Sequence, residues 1–91
     1  MAYEWDARKA AANRRKHGIG FDIMLDFDWQ TALVIADERA DYGEPRWLAL
    51  GMIVDRLYSV AFTRRGSRIR VISLRPASRK ERSFYEQAPR R

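Results

Sequence analysis

Residues 57–74, Leu-Tyr-Ser-Val-Ala-Phe-Thr-Arg-Arg-Gly-Ser-Arg-Ile-Arg-Val-Ile-Ser-Leu, constrain the fold more than any other part of this sequence. Two runs alternate in polarity on either side of Arg65-Gly66. Alternation with a period of two marks a half-buried strand, and a glycine in a two-residue connection supplies the positive φ of a tight hairpin turn. The chain is therefore expected to build on an antiparallel hairpin. With Arg65 and Gly66 as its loop, Arg64 faces Ser67, Phe62 faces Ile69, Val60 faces Val71 and Tyr58 faces Ser73, together forming a core face. The opposite face carries Ser59, Ala61, Thr63, Arg68 and Arg70, with Ile72 and Leu74 towards its far end.

The flanking segments extend this unit in both directions. Ala2–Trp5 reads as a short opening strand. Asp6 is placed to cap a helix over residues 7–17, and Gly18 to end it. Residues 20–27 read as a second, shorter helix with Phe21, Met24, Leu25 and Phe27 inward. Strands follow within 29–36 and over 46–52, separated by a polar, acidic connection at 37–45. Pro76 ends the strand region. Ser78 then caps a last helix to about Gln87, with Glu81 at the third position of a capping box. The expected fold is α+β: one domain over residues 1–91, a small antiparallel sheet, two N-terminal helices and a C-terminal helix.

Charge is distributed unevenly. The segment from Arg64 onward carries a net +8, whereas the first 63 residues carry −2. A basic end rich in arginine is the electrostatic pattern of a polyanion binder, because guanidinium forks match phosphate oxygens. The bland alternative is a solvated surface that keeps the chain soluble. There is no cysteine, hence no disulfide or thiolate metal site. No apolar run approaches the length of a membrane helix, and the first residues do not read as a secretory signal. A cytoplasmic location is the expectation.

Several short pieces recur in a definite order: Glu4-Trp5-Asp6, Asn13, Lys16-His17-Gly18, Phe21, Glu44, Arg46, Gly51 and Thr63-Arg64. They continue with Ile69-Arg70-Val71-Ile72-Ser73-Leu74-Arg75, Ala77, Glu81 and Tyr85. In this order and spacing the chain resembles the BrnT family of type II toxins over nearly its whole length. The resemblance implies a RelE-like fold, with RNA cleavage or translation arrest as its activity. It also implies neutralisation by a BrnA-type antitoxin. Such an antitoxin is a ribbon-helix-helix DNA binder, so DNA would be reached only through the complex. Two positions depart from the family pattern: Leu74 stands where a small residue is usual, and Pro76 where a basic one is.

RNA cleavage without a metal uses the 2′-OH as nucleophile on the adjacent phosphate. The phosphate must be oriented, its extra charge stabilised, and two protons moved. Arginine suits the first two tasks and is a poor base. The candidate catalytic residues are Arg70, Arg75, Arg64 and His17, with Arg68, Arg79, Lys80 and Arg82 as further RNA contacts. Arg70 and Arg75 rank first because they lie in the best-matched motif. Strand parity sets Arg64 and Arg75 apart from Arg68 and Arg70.

His17, the one histidine, is either a proton carrier or an ordinary helix-end residue, and helix-end capping is favoured. Glu81 is either a base or a capping-box residue. Tyr85 packs the last helix or reaches a phosphate, and Ser73 satisfies a backbone group. The acidic residues Asp37, Glu38, Asp41 and Glu44 match no calcium loop and read as a solvated connector, with Glu44 pairing Arg46 or an active-face arginine. Trp5, Trp29 and Trp47 read as core. No metal or cofactor is expected. The competing readings are a non-catalytic module that binds RNA or antitoxin, and a DNA-binding regulator. The last helix has no companion at helix-turn-helix spacing, which weakens the regulator reading.

Overall fold

A computed structural model describes residues 2–89; Met1 and the two terminal cations, Arg90 and Arg91, lie outside the described residues. The elements are β1 (Ala2–Trp5), α1 (Ala7–His17), a 3-10 helix (Phe21–Asp26), β2 (Leu33–Ala36), β3 (Trp47–Ile53), β4 (Arg56–Arg65), β5 (Arg68–Pro76) and α2 (Arg79–Gln87). One five-stranded sheet has the order β1-β5-β4-β3-β2. Strands β2 to β5 form an antiparallel meander, and β1 lies parallel to β5, from Ala2 beside Arg68 to Trp5 beside Val71. The sheet is therefore mixed, not purely antiparallel. The outer edge of the 57–74 hairpin is free to accept a strand, and the N-terminus supplies it.

Helix α1 starts and stops where its caps dictate. Asp6 accepts from the N–H groups of Arg8 (2.8 Å) and Lys9 (3.1 Å), and Gly18, at φ 72°, donates to the carbonyl of Arg14. The expected second N-terminal helix is instead a six-residue 3-10 turn. Three-residue spacing puts Phe21 and Met24 on one side, both buried under the sheet. Leu25, expected inward, is 77% exposed. Helix α2 has the predicted capping box: Glu81 N–H donates to Ser78 Oγ, and Ser78 N–H to Glu81 Oε1. None of the described helices is long and apolar enough to cross a membrane.

The core lies on one face of the sheet, here called inner, under α1 and the 3-10 helix. Phe21, Met24, Val60, Phe62, Val71 and Leu74 form its centre. Two of the three tryptophans pack against the core as expected: Trp29 meets Phe27 and Phe62 edge-on, and Trp47 stacks on Phe62. Trp5, expected in the core, lies at its exposed margin. Trp29 Nε1 also donates to Tyr3 Oη (2.7 Å), and Trp5, half exposed, meets Phe21 edge-on.

The central hairpin departs from the expected register twice, with different consequences. Its loop is Gly66-Ser67, with Arg65 beside Arg68 and Phe62 beside Val71. Relative to the expected pairing this is a slip of two residues, which keeps every side chain on its face. A β-bulge then separates Phe62–Val71 from Ala61–Ser73, leaving Ile72 as the extra residue. One extra residue reverses the parity of everything after it. Leu74, expected on the polar face, sits opposite Val60 with 0% exposure. Ser73, expected in the core, faces outward beside Ala61, and Arg75 faces outward beside Ser59.

The bulged part of β5 runs past the end of β1 and needs another partner. Asn13 provides it: its Nδ2 donates to the Leu74 carbonyl (2.8 Å) and its Oδ1 accepts from the Leu74 N–H (3.1 Å). The same Nδ2 donates to the Ile19 carbonyl (3.3 Å), so one buried amide ties α1 and the following loop to the strand.

Candidate active site

The outer face of the sheet, away from the core, gathers the arginines. Arg70 and Arg75 both project there, because the bulge at Ile72 restores Arg75 to the face that Arg70 already occupies. Each is aimed by a carboxylate. Glu4, beside Arg70 in the β1–β5 pairing, accepts from its Nη1 at 2.7 Å. Glu81, in the first turn of α2, accepts from Arg75 Nη1 (2.7 Å) and Nη2 (2.8 Å). A guanidinium carries five N–H donors in a fixed fork, so a single carboxylate fixes its direction and leaves donors for a phosphate. The Arg75–Glu81 pair is the tighter clamp. It holds the Glu81 carboxyl at about 2, well below its usual range, chiefly through the side-chain hydrogen bond from Arg75. In return the glutamate raises the Arg75 pKa.

Two further arginines, neither of them among the expected phosphate contacts, border this surface. Arg39, from the β2–β3 loop, lies close enough to Arg75 for their like charges to oppose each other. It is held in a two-pronged pair with Asp37 (2.8 and 2.9 Å), which also accepts from Tyr42 Oη. Asp37 is thereby buried and its carboxyl held down to about 2. Arg46 lies over the Tyr42 ring, 4.0 Å from its centroid, with Glu44 4.0 Å from its Nε. Glu44 also pairs with Arg65 at 3.3 Å. The acidic connector thus works as a set of arginine holders. Its signal was present in the alternation of acids and arginines over 37–46, but only the folded loop shows which cations it serves.

The remaining candidates are dispersed. Arg68 is on the outer face but exposed at the hairpin tip, beside Ala2. Arg79 is exposed at the start of α2; Lys80 lines a groove beside Phe84, and Arg82 a separate hollow with Met52 and Leu57. Arg64 belongs to the inner side, next to Trp29, Val34 and Trp47. His17 ends α1, which packs on β5 from the core side, so the sheet stands between it and Arg70 and Arg75. Thr63, buried between Arg70 and Arg46, is occupied in donating to the Pro45 carbonyl (2.6 Å). Among the described residues no three His, Cys, Asp or Glu side chains converge as a metal ion would require.

Chemically, fixed guanidinium groups on one face have the charge and donor geometry that suit phosphate oxygens. Arg70 and Arg75 are permanently charged and share this face, Arg70 held from β1 by Glu4 and Arg75 from α2 by Glu81. Among known families, the model of the ribonuclease toxin, BrnT, of type II toxin–antitoxin systems matches residues 5–81. That span includes Arg39, Arg46, Arg70, Arg75 and Glu81, and all but the first of the residues aiming them. No curated protein matches the chain.

Proposed function

This chain belongs to the BrnT family of ribonuclease toxins of type II toxin–antitoxin systems, and from that membership we propose that it cleaves RNA on the outer face of its sheet. The observation that carries the assignment is that Arg70 and Arg75 project from the same face, each aimed by its own carboxylate. In this reading the two guanidinium groups grip the scissile phosphate and stabilise the charge that builds as the 2′-OH attacks. Glu4 and Glu81 are positioning residues. Arg68, Arg79, Lys80 and Arg82 add backbone contacts along the strand of RNA.

The reaction is metal-independent in this proposal and arrests translation by destroying message. The partner is a ribbon-helix-helix antitoxin of the BrnA type, through which alone the pair reaches DNA, and the chain acts in the cytoplasm. Support for metal independence is the chemistry of the face: permanent cations already do what a metal would do for the phosphate. Arg75 engages both Glu81 carboxylate oxygens, and His17 lies on the other side of the sheet, so neither candidate is placed and free to take the 2′-OH proton. This favours one second reading, a module that binds RNA without cutting it.

A single assay separates the two. A defined RNA is incubated with the wild type, Arg70→Ala, Arg75→Ala and His17→Ala, with and without EDTA. Each arginine variant is expected to lose about 100- to 1,000-fold in rate, the size of effect seen when a transition-state donor is removed. His17→Ala and EDTA are expected to change little. Binding without any cleavage by the wild type selects the second reading, and loss of cleavage in EDTA overturns metal independence.

A further inference from the structure

The outer face changes character between β4 and β2. Beyond Ser59 it becomes apolar: Leu33 and Ile35 of β2 stand beside Leu50 and Leu48 of β3. With Phe84 of α2 as a wall, they enclose a groove of about 300 Å³. Ile35 is 52% exposed and Phe84 57%. Adjacent large apolar side chains left open to water on a small protein mark a surface built to be covered. The polar border of the groove is Ser59, Lys80 and Glu81, and the charge of Glu81 is already matched by Arg75. The net border is therefore cationic, on a chain of net charge +6.

That charge decides among occupants. A second copy of this chain would bring another +6 towards the same border. RNA matches the charge but not the floor, which is aliphatic and offers bases no stacking platform beyond Phe84. An apolar ridge flanked by carboxylates satisfies both requirements. The opening is a sheet face two strands wide with α2 along one side, which suits a helix laying its i, i+3, i+4 and i+7 residues into a groove. A strand would instead add at the β2 edge and leave Leu48 and Leu50 uncovered.

We propose that this groove seats an acidic, amphipathic helix of the antitoxin, an inference that rests on the toxin reading above. The groove ends at Glu81, the residue that aims Arg75. A helix lying in it abuts the phosphate-binding surface, so antitoxin and RNA compete for adjoining halves of one face.

The test uses the full chain and its cognate antitoxin, purified separately, with Ile35→Asp on β2 and Phe84→Asp on α2. Both side chains are already half exposed, and two elements are sampled, so a fold defect in one variant does not decide the outcome. Titration calorimetry is expected to show each folded variant binding the antitoxin at least 100-fold more weakly than wild type. RNA cleavage by the free variants is expected to be unchanged, and the wild-type complex to leave RNA uncut. Antitoxin affinity within threefold of wild type in both variants overturns the proposal. So does loss of self-association or of RNA binding with antitoxin affinity intact, since either assigns the groove to another occupant. Failure of the wild type to cleave RNA, with antitoxin binding still lost in the variants, defeats the ribonuclease reading and leaves the groove assignment standing.

Discussion

Val54 takes φ 59° at the first position of the two-residue turn between Ile53 and Arg56, a left-handed conformation costly for a β-branched side chain. It is 80% exposed, so no packing offsets that cost. Val54→Gly is expected to raise stability by about 1 kcal/mol, checked by urea denaturation. Glu81 makes the opposite kind of contribution, one that depends on pH. Its carboxyl is lowered from 4.5 to about 2 by Arg75, so the folded state holds the charged form more tightly than the unfolded chain does. The resulting stability is fully present above about pH 4.5 and drains away as pH falls towards 2. Glu81→Gln is expected to flatten the denaturation midpoint across that window. A residual slope from Asp37, held down to about 2 by Arg39, is expected to remain.

Among the elements, β5 carries the most information, because one residue changes its function halfway along. Before Ile72 the strand exposes Arg68 and Arg70; after it, Ser73 and Arg75. Without the bulge Leu74 would face out and Arg75 would point into the core. Leu74 is thereby taken up in the core, opposite Val60. The bulged half is held by Asn13, which takes both backbone groups of Leu74. Asn13→Ala leaves a buried donor and acceptor without partners. It is expected to cost about 2 kcal/mol, lowering Tm by roughly 10 °C for a domain of this size. Asn13→Asp keeps the acceptor but loses the donor, and thermal melts are expected to show it no more stable than wild type.

For the whole molecule, the division of the outer face matters more than its total charge. The β1–β5–β4 half gathers Glu4, Arg70, Arg75 and Glu81, and the β3–β2 half is an apolar groove. Binding of RNA to the first half is expected to weaken steeply with salt, because each phosphate neutralised releases counterions. Arg70→Ala should lower the slope of log K against log salt by roughly 0.7, the value for one contact on a single strand. Ile35→Asp should leave that slope unchanged, since its side chain lies over the other half. Fluorescence titrations of a labelled RNA at several salt concentrations measure both.

Alternation, turn glycines and caps determined most of the elements without help from tertiary structure. The 57–74 hairpin, α1 between Asp6 and Gly18, and α2 behind Ser78 all depend on neighbours within a few residues, so the sequence displays them directly. The basic, arginine-rich end was legible for the same reason, and so was the resemblance that the family match bears out. What tertiary structure decided was which arginines meet. A bulge leaves no mark in a period-two pattern of alternating residues, yet it moves Arg75 to the face of Arg70 and Leu74 into the core. Pairings across 66 residues, such as Glu4 with Arg70, exist only once β1 has joined β5. The 3-10 turn at Phe21–Asp26 depends likewise on the sheet it packs against, which buries Phe21 and Met24 and leaves Leu25 outside. The sequence thus determined that a basic face exists, and the long-range contacts of the sheet determined which residues compose it.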